Sequence, residues 1–222
     1  MGIGHAAVAL GAARATPRIN AGILIFAAFL ADFLLGVFAA LGMGQAHIPP
    51  DFATRHYLTF TFPYSHGMAA LLAWGLLFGA VCCWVDRQAR VRAFWVIASL
   101  VFSHFILDGL VHTPELPLLA QSSPKIGLAL WNHMPLELTV ESLMALIGLV
   151  IYWRLKGGTR VTRWGMATFV MLLTALTWTQ LFSRTAPTNS QLVWSWIMAP
   201  VVFSAIPYGF DRKRVAAEKP QV

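Results

Sequence analysis

The sequence predicts an all-α, polytopic membrane bundle, and three observations carry that prediction. Of 222 residues, 58% are apolar and 11% charged, with a mean hydropathy of +0.65, which is too apolar for an ordinary soluble domain. The apolar residues gather in five uninterrupted runs and a sixth broken by a few polar groups, each roughly 18 to 25 residues long. That is the length that crosses ~30 Å of hydrocarbon as helix. All sixteen Lys and Arg fall in the loops, ends or tails of these runs.

The runs place about six transmembrane helices at 19–43, 64–85, 92–111, 127–153, 164–183 and 191–210. Ahead of them, residues 3–14 read as a helix too short to span, ending at Arg14 with Pro17 just beyond. This predicts a short, half-inserted N-terminal helix. No basic region precedes the first apolar residues, so no cleaved signal is expected, and Ala6 disfavours myristoylation. No linker, repeat or low-complexity stretch divides the chain. It reads as one transmembrane domain over 1–210, followed by a basic cytoplasmic tail over 211–222.

A net charge of +7 raises the question of nucleic acid, but the placement of the charge answers it. Arg14, Arg18, Arg87, Arg90, Arg92, Arg154, Lys156, Arg160, Arg163, Arg212, Lys213, Arg214 and Lys219 all fall on one side of the spans, against Arg55, Lys125 and Arg184 on the other. The positive-inside rule then puts both termini in the cytoplasm and leaves no basic stripe for a nucleic acid. The bilayer is the expected partner. Cys82 and Cys83 are adjacent and form no disulfide framework; they read as helix-packing residues.

Acidic residues behave differently. Asp32, Asp108, Glu137 and Glu141 lie inside the predicted spans, where no Lys or Arg accompanies them. An ionised carboxylate at that depth costs several kcal/mol, ~3 on insertion scales, unless it is protonated, faces water or shares a cation. Neutral histidines beside these acids favour the cation. His104, Asp108 and His112 are four apart, so they drift only ~40° per step and share one helix face. His133, Glu137 and Glu141 repeat the pattern on the next span. His5, Asp32 and His104 lie ~14, ~21 and ~18 Å above the inner surface by helix rise, depths that can meet. His66 opens the second span. His47, Asp51 and His56 in the outer loop 44–63 read as ordinary loop residues, while His112 and Glu115 begin the loop 112–126. The last two spans lack ionisable groups and are assigned to packing.

In order, His5, Asp32, His66, His104-x3-Asp108, His112 and His133-x3-Glu137 form a recognisable set. It is carried by Gly4-His5, Tyr64-Ser65-His66 and Ser103-His104-Phe105-Ile106-Leu107-Asp108, with His112-Thr113-Pro114-Glu115 following. Over residues 1–150 this resembles the bacterial membrane-bound metal-dependent hydrolases related to the zinc-dependent phospholipase C superfamily. The resemblance implies two or three zinc ions, one among Asp32, His66, His104 and Asp108, another held by His112, His133 and Glu137. His5, with Asp108 as a bridge, would serve a third. Membrane relatives imply a Glu at the place of Glu141, so Glu137 and Glu141 both stand as candidates.

His nitrogen and carboxylate oxygen suit zinc, and an open position on the metal activates a water at neutral pH. The expected activity is phosphoester hydrolysis, with a phospholipid headgroup as a natural substrate and Asp32 and Asp108 as catalytic carboxylates. The expected location is the bacterial inner membrane. Two other classes use the same residues: a proton- or ion-coupled transporter, which would show inverted repeats or broken helices, and a non-catalytic metal-binding membrane protein.

Overall fold

In the computed structural model, which describes residues 2–85, 91–155 and 157–218, the chain is a helical bundle capped at one end by two short hairpins. Arg87, Arg90, Lys156 and Lys219 of the basic set lie outside the described residues. Helix α1 (Ile3–Ala12) is followed by α2 (Ala21–Ala28) and α3 (Leu30–Ala40). Strand β1 (Gln45–His47), α4 (Phe52–Arg55) and β2 (Thr59–Thr61) then form an antiparallel hairpin in which Ala46 pairs with Phe60. The antiparallel helices α5 (Met68–Val85) and α6 (Val91–Val111) precede the second hairpin, β3 (Leu116–Pro117) with β4 (Lys125–Ile126). A 3-10 turn, Leu130–His133, leads into α7 (Met134–Trp153). Helices α8 (Arg160–Trp178) and α9 (Asn189–Glu218) complete the chain.

Four helical segments are long and apolar enough to cross a membrane: Val91–Val111, Leu130–Trp153, Arg160–Phe182 and Asn189–Ala216. A fifth is counted if α2 and α3, bent by 54° at Phe29, form one span. Met68–Trp84 is a shorter apolar helix. Among the described residues the chain therefore has four or five candidate spans; the expected six are not confirmed, because the first run is broken and the described part of the second falls just under the length of a span. Leu76, Leu77, Leu143, Ile147, Leu172 and Val202 are exposed on the helix surfaces, whereas His5, His66, His104, Asp108, Glu137 and Glu141 are buried. That inversion is what a lipid solvent demands: apolar atoms outward, polar atoms satisfied within.

Helix α1 is too short to span, at ten residues, and is buried nearly all round by α2, α6 and α7. Small residues allow this. A Cβ on Gly148 of α7 would fall 2.4 Å from the Ala7 carbonyl, and one on Gly22 of α2 would fall 2.4 Å from the Ser204 carbonyl of α9. Backbones meet directly at both crossings, the packing mode that replaces hydrophobic drive inside a bilayer.

The final residues depart from the expected free tail. Helix α9 continues to Glu218, past Pro200 and Pro207, and carries Asp211 and Arg214 into the interior. Arg214, 1% exposed, donates to Asp211 and to the carbonyls of Pro17 and Ile19. Asp211 also accepts from the Ala21 amide at 2.7 Å and from the Tyr152 hydroxyl. One ion pair thus joins α9, α7 and the start of α2, and the orphan amide at the N-terminus of α2 receives an anion. Arg214 belongs by its position to the basic set on one side of the spans, yet it is buried against Asp211 one turn away on the same helix.

Removing one member of this pair leaves an uncompensated buried charge, which costs about 3–5 kcal/mol. Asp211→Ala and Arg214→Leu are each expected to lower the unfolding midpoint of the detergent-solubilised protein. The double replacement Asp211→Leu/Arg214→Leu should recover part of the loss, measured by thermal or denaturant unfolding.

Candidate metal centre

The cluster begins on α6. His104 and Asp108 share a face of the helix, and the His112 amide still bonds the Asp108 carbonyl at 2.9 Å, so the turn continues one residue past the helix. Asp108 is the common neighbour. Its carboxylate lies 3.1 Å from His104 Nε2, 3.2 Å from His5 Nε2, 3.5 Å from His112 Nε2 and 3.7 Å from His66 Nε2. Asp32, from α3, reaches His66 Nε2 at 3.6 Å and His104 Nε2 at 3.9 Å. Four segments far apart in sequence, α1, α3, the residues ahead of α5, and α6 with the turn after it, therefore bring four histidines to Asp108 and Asp32 to two of those histidines.

Ring orientation follows from the outer partners. His104 Nδ1 lies 2.8 Å from the Ala28 carbonyl, which only accepts, so Nδ1 carries the proton and Nε2 turns a lone pair toward the carboxylates. The bend after α2 brings that carbonyl to the histidine. His112 Nδ1 is held at 2.5 Å by Glu115 Oε1, while Glu115 Oε2 accepts the Phe60 amide at 2.6 Å. A carboxylate behind an imidazole, with the far nitrogen facing a site, is the arrangement that fixes metal-ligating histidines. Burial pulls the His112 imidazole down, but Asp108 and Glu115 outweigh it and raise it above its ordinary range.

His66 Nδ1 pairs with the Ser65 hydroxyl at 2.9 Å, and its Nε2 lies 3.2 Å from His104 Nε2. His5 stacks on His104 with ring centres 3.8 Å apart and planes within 2°. Neither ring nitrogen of His5 has a hydrogen-bond partner among the described residues. Its Nε2 is near Asp108 without the alignment of a hydrogen bond. Lone pairs and carboxylate oxygens converge with no Lys or Arg at hand: the described ion pairs of arginine, Arg55–Asp51 and Arg214–Asp211, do not involve these carboxylates. Such a donor set fits a metal ion, and two groups meet the geometry for one, His5/His104/Asp108 and Asp32/His66/His104, each with ligand atoms within 4.8 Å of one another.

A cavity of about 420 Å³ opens over this cluster, with Asp32, His66, Asp108, His112 and Glu137 in its lining. Its upper walls come from the β1–β2 hairpin and from α9, through Phe60 and Trp196, and from Trp131, whose ring centre is 4.1 Å from that of His112. The last two helical segments were expected only to pack, yet Gln180, Leu192, Ser195 and Trp196 line the cavity.

The two glutamates separate. Glu141 accepts the amides of Gly2 at 2.7 Å and Ile3 at 3.1 Å, so both its oxygens are engaged by the N-terminus of α1. It positions the helix that carries His5. Glu137, one turn away on α7 and also buried, lines the cavity beside Glu141 without a backbone amide among the described residues holding its carboxylate, and neither glutamate belongs to the two ligand groups above. His133 does not join them; it is exposed and absent from the cavity wall. The 3-10 turn at Leu130–His133 has three residues per turn, and α7 begins only at Met134, so the step from His133 to Glu137 is not a helical one.

Two residues set aside as loop or unassigned have places here. His56, in a left-handed conformation at φ 61°, donates from Nδ1 to the Ser183 carbonyl and lines the cavity. Glu115 orients His112. His47 remains exposed on its hairpin, bonded to Thr61, and Asp51 pairs with Arg55. Comparison with known protein families, with curated proteins and with solved structures finds no match.

The split between the glutamates is testable. Glu141→Ala orphans two buried amides and is expected to cost about 1–3 kcal/mol of stability. Glu137→Gln should leave the unfolding midpoint near the parent's and reduce metal bound per chain, as measured by elemental analysis. Equal behaviour of the two variants in both assays would contradict the assignment.

Proposed function

We propose that this protein is a membrane-embedded metal-dependent hydrolase that cleaves phosphoesters. The observation that carries the reading is the convergence of His5, Asp32, His66, His104 and Asp108 in two groups of ligand geometry, of which Asp32, His66 and Asp108 line a cavity. His112 and Glu137 stand beside them as further ligands for two or three divalent ions. The mixture of imidazole and carboxylate favours zinc. When bound, the metal supplies Lewis acidity, lowering the pKa of a water and offsetting charge on phosphate oxygens.

The chain's own residues do the rest. Asp108, 2% exposed at its side chain, holds the imidazoles in register from below. Asp32, at 27%, is the more accessible carboxylate and can accept a proton from a water in the cavity. Phe60, Trp131 and Trp196 exclude bulk water and present an apolar wall to the organic part of a substrate, as a lipid headgroup ester would require. Among the described residues no Lys or Arg lines the cavity, so bound cations are what would meet the negative charge of a phosphoester there. The bacterial inner membrane, with the arginine-rich end of the bundle in the cytoplasm, suits this reading, since the cavity then opens on the opposite side.

An ion-coupled transporter is the second reading, and the 54° break at Phe29 favours it, because broken helices build transport sites. In this chain the break has a local use, presenting the Ala28 carbonyl to His104. Elemental analysis of purified protein is expected to find two or more zinc ions per chain. His104→Ala and Asp108→Ala should each lose metal and lower phosphodiesterase turnover by about 10²-fold or more. Full activity in either variant, or metal-free protein that conducts ions in liposomes, would sink the hydrolase.

A further inference from the structure

A second cavity, of about 470 Å³, lies at the other end of the bundle, between the residues ahead of α2 and the helices α2, α5, α6 and α9. Its rim is cationic. Arg18 and Arg212 both line it, both are exposed, and neither has an acidic partner among the described residues. Arg214, only two positions from Arg212, is neutralised by Asp211, so the two residues have opposite fates. Asn20, also in the lining, is already occupied: it donates to the Tyr208 carbonyl and accepts the Gly22 amide.

Below the rim the walls turn apolar. Ile23 lies in the first turn of α2, and Phe78 is seven residues before the end of α5, which sets the wall there ~10 Å deep by helix rise. Val81 and Tyr208 in the same lining are 45% exposed each, so the cleft opens sideways onto the lipid-facing surface. A cationic rim above apolar walls that face hydrocarbon matches a phosphate headgroup with the first carbons of its acyl chains. We infer that this cleft binds an anionic phospholipid from the leaflet on the basic side of the bundle, with Arg18 and Arg212 on the phosphate.

Net positive charge at the rim discriminates between lipids. A zwitterionic headgroup brings its own cation to the two guanidiniums, whereas an anionic one does not. Apolar walls discriminate against a free anion, which gains nothing from Ile23, Phe78 and Val81. The site is separate from the histidine cluster, and the inference stands without the hydrolase reading.

Native mass spectrometry of the full chain, released from nanodiscs of mixed phosphatidylglycerol and phosphatidylcholine, reads the retained lipid directly. The parent is expected to keep phosphatidylglycerol preferentially, and Arg18→Gln/Arg212→Gln to cut that retention about tenfold or more. Val81→Trp, which narrows the walls and leaves the charges, should also reduce it. Arg154→Gln/Arg160→Gln, exposed charges outside the cleft, should not. Equal retention of the two lipids, an unaffected cleft pair, an equal loss in the Arg154/Arg160 pair, or displacement of the lipid by millimolar inorganic phosphate would each overturn the inference.

Discussion

Electroneutrality inside an apolar shell is the constraint on which this structure turns. Asp32, Asp108, Glu137 and Glu141 come together in a bundle whose outward residues are Leu, Ile, Val and Trp, and among the described residues the ion pairs of Arg do not reach them. Four imidazoles share the space. Burial of several carboxylates in one place is expensive, and removal of one charge by protonation does not explain why histidine lone pairs are aimed at the rest. A donor set of this kind can hold a metal ion, and the outer partners of His104 and His112 fix the rings in the orientation that ligation would use.

The rest of the architecture serves that demand. A helix of ten residues cannot cross a bilayer, but it can carry His5 to the depth of Asp108 if its amides find an anion and its backbone finds room. Glu141 supplies the first and Gly148 the second, two turns apart on the same helix. The break at Phe29 brings the Ala28 carbonyl to His104 while α3 presents Asp32 from the other side. At the far end, the Asp211–Arg214 pair fixes the entry to α2 and so the position of the break.

Much of this was legible from the chain. The four-residue spacing on α6 survives into the structure because an uninterrupted helix carries it, and depth estimates from helix rise correctly bring His5, Asp32 and His104 together. What failed did so for local reasons. The Phe29 break sits in a run of Ala, Phe and Leu with neither Gly nor Pro to mark it. His133 was misplaced because spacing says nothing of whether a turn is α or 3-10. Glu115 acts through a three-residue loop after α6, and Trp196 through the apolar first half of α9, so neither produces a periodic signal of ionisable groups. Arg214 followed the side rule for positive charge, which counts residues and does not see partners.

The placement of α1 bears on the order in which the protein is made. Of the partners that bury it, α2 follows directly, but α6 and the Glu141 face of α7 come about eighty residues or more later in the chain. Until α6 is in place His5 lacks His104 and Asp108, and until α7 is in place the amides of Gly2 and Ile3 lack Glu141. Assembly of the cluster is therefore a late event that reports on the topology of nearly the whole chain, and an ion captured there would act as a final clasp on a correctly threaded bundle.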